Sequence, residues 1–536
     1  MAPPGDGGKP QPSIRGREYA RATRYSILAG GLGALFLTVC NNQPIFAVYL
    51  ANHLGAPSSL LGALFGFMLA TGALQLVSVF IYRILPRRKP YWLAAHLAHR
   101  LLGLVIAASA FLFSRGLPGS EAARLAALAL GLSWVFMSVS TSGWLSWMAD
   151  LVPEEVRGSF FLRRSAVFQT ATVIWFFAAS VFLDLVPDTA RSLAYALIFG
   201  VGTLGGLADI LLHLGIPEPH FHKEEGRLGP GEFFAPLRDG NFLRYSLGIG
   251  AANFAVFIAS PFQAPWLTDP AGIAAPNVWL GIMTVISILA WVAMAPLWGF
   301  VMDRYGRKPA VVLGCLLVTG WIGYFFVDRH NYSYILPVIA LVGGFFGPAF
   351  WEGSGQLMLT LAPRGSRVAY IAWYNTIVGL VAALGPLAGG LLDERITKAG
   401  GLAILPGLPP ASGFAATQAS ALLAMALALL VLRGVREGKE RPVAGLVGQI
   451  ASAGLFRTYA SLLDLRRHSG DPRVARALRR IDGDEGELVV REVVERLDDP
   501  LPEVREEAVR ALGRIGSEEC REALVARLLD CESELR

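Results

Sequence analysis

Apolar runs of about 20 residues, long enough to cross a bilayer as helices, recur about twelve times between residues 25 and 433. Short polar loops separate them. After about Arg433 the long apolar runs stop and a polar, strongly charged pattern takes over. The pattern predicts an all-α polytopic membrane protein of about twelve transmembrane helices in two six-helix repeats, followed by a small cytoplasmic α-solenoid. Composition agrees. Of the 536 residues, 54% are hydrophobic and 16% charged, against roughly 25% charged in soluble domains.

Charge in the loops sets the orientation. Lys and Arg gather in alternate connections, at 83–90, 157–164, 223–244, 304–308 and 364–367, and in the N-terminal segment 1–24. The positive-inside rule then places both termini in the cytoplasm, and the expected location is a bacterial inner membrane. The same rule accounts for the net charge of +6 without nucleic-acid binding. Segment 1–24 has no apolar core or small-residue cleavage site, so it reads as a cytoplasmic tail. Cys40 and Cys315 lie in apolar runs, and Cys520 and Cys531 in the polar tail. None has metal-ligand spacing, and no cofactor or metal is expected.

The apolar region is a duplication. Tyr25-Ser26 is echoed by Tyr245-Ser246, and Gln43 and Gln263 follow these tyrosines at the same distance. Ala56-Pro57 with Leu61-Gly62 matches Ala275-Pro276 with Leu280-Gly281. Arg88-Lys89-Pro90 matches Arg307-Lys308-Pro309, and Pro153 with Arg157 matches Pro363 with Arg367. Matches in one order predict two parallel six-span halves, residues 25–216 and 242–433. A polar linker, 217–241, joins them. Two such bundles facing each other across a midplane site form an alternating-access design.

The stretch Gly299-Phe-Val-Met-Asp303-Arg304-Tyr-Gly306-Arg307-Lys308-Pro309 resembles the signature loop of the major facilitator superfamily, G-x-x-x-D-R-x-G-R-K. The resemblance covers residues 20–435 and implies solute transport. It also implies a cytoplasmic latch of Gly299, Asp303, Arg304, Gly306, Arg307 and Lys308. In that latch Asp303 accepts charge-assisted bonds from Arg307 or a neighbouring span, Gly306 permits the turn, and Gly299 permits close helix approach. The first-half copy, Phe80 to Pro90, keeps the cations and lacks the acid and both glycines. Gly385-Pro-Leu-Ala-Gly389-Gly390 reads as a helix-packing and kink element.

Ionisable groups within apolar spans are functional suspects. Glu352 lies eleven residues before Pro363, about 16 Å into the bilayer at 1.5 Å per residue. The resemblance puts its span on the cavity. Glu352 is therefore the candidate for proton coupling or for a cationic substrate, with Gln356 one turn on. Ser142 is the matching position in the first half. Asn41, Asn42 and Gln43 in the first span, and Asn253 and Gln263 in the seventh, are candidate polar cavity residues. His96, His99 and Arg100 share a face near the cytoplasmic end, where snorkelling is the expected arrangement.

Beyond the spans, residues 434–470 read as a linker and 471–536 as helical repeats. Leu497-Asp-Asp499-Pro-Leu-Pro-Glu-Val504 and Ala508-Val-Arg-Ala511-Leu512-Gly resemble HEAT-type repeats, which stack into a solenoid. The chain ends inside the first helix of a further repeat, as a fragment or a fraying last repeat would. The extension suits a cytoplasmic protein partner. No phosphate-binding loop or enzyme constellation is present. The reading is a secondary active transporter of a small-molecule substrate, with protons as a coupling ion. The alternative is a non-transporting membrane sensor or scaffold that signals through the helical repeats.

Overall fold

The computed structural model describes residues 17–40, 44–85, 87–219, 230–363, 366–403, 410–438, 442–451, 454–465, 472–481, 486 and 488–529. The candidates Asn41, Asn42 and Gln43, and residues 530–536, lie outside them. Among the described residues, twelve segments are helical, long and apolar enough to cross a membrane, the first of them described on either side of 41–43. In order they are Glu18–His53, Ser58–Ser78, Arg88–Ser114, Gly119–Leu151, Val156–Leu185, Asp188–Leu214, Gly240–Thr268, Val278–Arg304, Arg307–Phe326, Tyr332–Leu361, Ala369–Lys398 and Gly413–Arg433. Only a helix satisfies its own backbone within such a run, so length and apolarity together determine the element. Among the described residues no strand forms beyond a single bridge, Leu402 to Ala411.

Packing repeats the duplication. The first span packs on the fifth and sixth, and the third on the sixth; the seventh packs on the eleventh and twelfth, and the ninth on the twelfth. Small residues make these approaches possible. A Cβ on Gly103 would lie 2.3 Å from Thr203 Oγ1, and one on Gly389 would lie 2.0 Å from the Ile258 carbonyl. Gly389 thus does the packing work expected of its motif, and Pro386 sits inside the same helix.

The chain divides into two compact units. One holds Met1–Val292, Cys315–Gly347 and Ser354–Val435, and the other Ala293–Gly314, Pro348–Gly353 and Arg436–Arg536. Within the second, helices Pro502–Ile515 and Glu518–Leu529 pair over a core of Val504, Ala508, Ala511 and Leu512. Pro502 opens the first of these helices, and Gly516 closes it at φ 68°, a left-handed cap that glycine adopts without strain. Arg514 donates to the carbonyls of Leu478 and Ile481, and Arg479 pairs with Glu503 and Glu507. Burial pushes the Glu507 carboxyl up, but its bonds to Arg510 and Arg479 outweigh that and hold it below the usual value.

Candidate functional site

The two six-span halves meet along spans two and eleven, where glycines let the backbones touch. A Cβ on Gly62 would fall 2.2 Å from the Pro386 carbonyl oxygen, and one on Gly390 2.4 Å from the Ser58 carbonyl oxygen. Polar bonds reinforce one end of this seam. Ser58 Oγ donates to Asp393 at 2.5 Å, and the Ser59 amide to Glu394 at 3.1 Å. Asp184, ending the fifth span, accepts from the amides of Asn277 and Val278 at 2.8 and 2.7 Å, where the eighth begins. Asn52 donates to Pro265 O and Thr268 Oγ1. Among the described residues these bonds gather at the end away from the N-terminus. Gln75 and Asn375 form one more, at 3.0 Å, further along the seam.

Inside the first half lies an ionisable cluster. Arg100 Nη2 pairs with Asp209 Oδ2 at 2.9 Å, and Asp209 Oδ1 is 3.1 Å from His213 Nδ1. Trp144 Nε1 donates to His213 Nε2 at 3.0 Å, which leaves the imidazole proton on Nδ1, facing the carboxylate. His99 joins through Arg100 Nη1 and also bonds Ser133, and His96 packs edge-on against the His99 ring at 5.8 Å and bonds Ser140. All five ionisable groups are buried. Arg100, His96 and His99 therefore do not snorkel; they turn inward because Asp209 and its neighbours satisfy them there. The Asp209/His213 pair was missed in sequence. Its signal was an acid and a histidine one turn apart inside the sixth apolar run.

Glu352 and Gln356 are both exposed on the tenth span, one turn apart, and among the described residues the Glu352 side chain makes no bond. Ser142 bonds Ser78 in the second span at 2.7 Å. Asn253 is buried and donates to Ile249 O of its own helix. Gln263 Nε2 reaches the buried Gln418 Oε1 at 3.4 Å. Among the described residues Ser142, Asn253 and Gln263 are thus engaged separately, and no bond joins them to Glu352 or to one another.

The latch loop differs from its expectation in two places. Gly306 takes φ 103°, the left-handed turn that needs glycine. Gly299, however, faces open space, since a Cβ there meets nothing within 4 Å. Asp303 is exposed and, among the described residues, has no ionic partner. The acid that serves the loop is Glu437. It accepts from the amides of Arg307 and Lys308 at 3.0 and 2.9 Å and lies 3.6 Å from the Arg307 guanidinium. These amides open a helix, where the chain's own turn supplies no acceptor and a carboxylate is favoured. The first half has the same joint: Glu218 accepts from the Arg88 amide at 2.7 Å. Arg307 follows Arg88, and Glu437 follows Glu218, by the same 219 residues. Arg88 itself is buried, with Nη1 on Asp150 at 2.6 Å. The first-half loop is therefore served by Glu218, just past the sixth span, and by Asp150 at the end of the fourth.

Residues 245–474 match the sequence pattern of the Major Facilitator Superfamily, and residues 459–536 that of HEAT repeats. The chain thus carries a Major Facilitator Superfamily domain in its second half, followed by a HEAT-type extension. The facilitator fold extends to the first half as well. A bacterial homolog of the human lysosomal transporter Spinster, in an inward-facing, unoccupied conformation, aligns over 79% of this chain and 98% of its own at a TM-score of 0.56 and 16% identity. A D-xylose-proton symporter aligns over 79% and 99%, at 0.57 and 14%. In sequence, the multidrug resistance protein MdtG of Salmonella paratyphi A is 30% identical over 157 residues, 28% of this chain and 37% of MdtG. An uncharacterised MFS-type transporter of Mycobacterium tuberculosis is 29% identical over 150 residues, 27% and 34% of the two chains. The chain thus spans about a third of the length of these curated relatives.

Proposed function

We propose that this facilitator is a secondary active transporter that moves a small solute by alternating access. The observation behind this reading is the seam: two repeated halves bonded together at one end of the spans. Such contacts suit one state of a cycle in which the halves rock about a central path. By the positive-inside rule the bonded end is the extracytoplasmic one, and both termini are cytoplasmic.

Glu352 is the acid we assign to coupling. It is accessible on the tenth span, so it can exchange a proton with water entering the path or hold a cationic solute. The Arg100–Asp209–His213 cluster, closed off within the first half, braces that half as a rigid body. Sugars and drugs are the first solutes to try, given the structural likeness to the D-xylose-proton symporter and the sequence likeness to the multidrug resistance protein. The test is uptake into proteoliposomes under an imposed proton gradient. Gradient-driven uptake that Glu352→Gln abolishes supports the assignment. Coupled uptake that survives this change removes Glu352 from the mechanism. Absence of any solute movement, with ligands altering a partner's binding to the extension, would favour a sensor.

A further inference from the structure

The loop between the eighth and ninth spans is gripped by the extension. Four successive parts of the chain beyond the twelfth span converge on it and on the adjoining end of the eighth span, all within one compact unit. Glu437 caps the Arg307 and Lys308 amides. Gln449, on helix Val443–Ala451, accepts from Tyr305 Oη at 2.6 Å. Tyr459, on helix Gly454–Leu465, packs its ring 5.9 Å from that of Phe300. Glu492, at the start of the short helix Val490–Glu495, takes Arg304 Nη2 between its two oxygens at 2.6 and 2.7 Å. The Glu492 side chain is 9% exposed and that of Arg304 23%, so water competes weakly for this pair.

The four contacts differ in chemistry and come from separate segments of the extension, so a chance brush between neighbours does not account for them. Two features set this loop apart. Arg304 and Arg307, the cations nearest Asp303, are turned to Glu492 and Glu437, while Asp303 stands in the open. The joint at Glu437 has a counterpart at Glu218, but Arg304 has none: Leu85 occupies its place, 219 residues earlier. The added grip thus belongs to the half that carries the extension.

We propose that the loop Asp303–Lys308 is the docking surface of the HEAT extension, and that the docked extension clamps the joint between spans eight and nine. The clamp sets how readily the second half changes conformation; this regulatory consequence rests on the transport reading above, while the docking does not. Glu492 is the releasable contact, because it is a charge pair between distant segments. Glu437 is the hinge pin, because it follows the twelfth span directly.

The test uses the full-length chain in lipid nanodiscs. Hydrogen exchange is read on peptides covering 303–310, in wild type and in Glu492→Ala and Arg304→Ala. Loss of a charge-assisted bond of this kind corresponds to about tenfold or more in the docking equilibrium. The loop amides should therefore exchange about tenfold faster in either variant. The reversed pair, Arg304→Glu with Glu492→Arg, should restore protection, which separates docking from simple misfolding. Unchanged exchange in the single variants would overturn docking through this pair, as would a reversed pair no better than they are. The second arm joins cysteines at 304 and 492 with a short thiol crosslinker, in a background without the native cysteines. Gradient-driven uptake should fall several-fold and recover on cleavage of the linker. Equal uptake with the linker intact would overturn the clamp while leaving the docking. Loss of all uptake in the uncrosslinked protein would count against transport itself, and the exchange arm would still stand.

Discussion

Replacing Gly62 by alanine tests the seam between the halves directly. The new methyl would sit 2.2 Å from the Pro386 carbonyl oxygen and 3.1 Å from Gly390 Cα. A carbon rests no closer than about 3.3 Å from a carbonyl oxygen, so the two helices must part by about 1 Å. Neither obstacle is a side chain that can swing aside. Overpacking of this kind costs about 1–3 kcal/mol. The strain exists only where spans two and eleven touch, so on the alternating-access reading proposed above it falls on the state with the bonded end closed. A bias of that size changes a two-state ratio by about 5- to 150-fold. The assay is electron–electron resonance between spin labels at Ser114 and Lys398, exposed positions at that end of each half. Gly62→Ala should build up a longer-distance population. Gly200→Ala is the control, since a methyl there meets nothing within 4 Å. Identical distance distributions for the two variants would refute the argument that this crossing holds the end shut.

Other perturbations read other parts of the molecule. Arg100→Met or Asp209→Leu alone leaves an uncompensated buried charge and should destabilise by about 3–5 kcal/mol; the double change should recover most of it, as measured by thermal unfolding in detergent. Asp184→Ala removes the cap of the eighth span and should cost about 1 kcal/mol, seen as faster hydrogen exchange at Asn277 and Val278. Gly306→Val forces a β-branched residue into a left-handed turn at about 1–3 kcal/mol, and should loosen the start of the ninth span in the same exchange measurement.

Most of the fold was legible because its signals are local. An apolar run needs only its own residues to become a spanning helix, and the order of matching motifs showed the duplication. The Asp and Pro punctuation of the extension likewise showed where its helices begin. The polar chemistry was harder to read because its partners are distant in sequence. Glu218 meets Arg88 across 130 residues, and Arg304 meets Glu492 across 188, and no periodicity links such pairs. Arg100 looked like a residue near a span end until Asp209, on another helix, gave it a reason to turn inward. Asp303 was the reverse case: its motif fits, yet its neighbouring cations have other partners. A repeat offset applied to acids as well as cations would have exposed Glu218 and Glu437.

The joint at Glu437 has a kinetic consequence. Only eleven residues separate it from Gln449, so the extension begins its search for the loop while already tethered beside it. Short tethers of this kind give effective concentrations of roughly millimolar. Contacts too weak to hold a separate protein would then suffice, and each could open and reclose rapidly without the extension drifting away. A soluble competitor for the loop would have to outbid that local concentration, whereas a change on the extension itself would not. Control would come most readily from within the same chain.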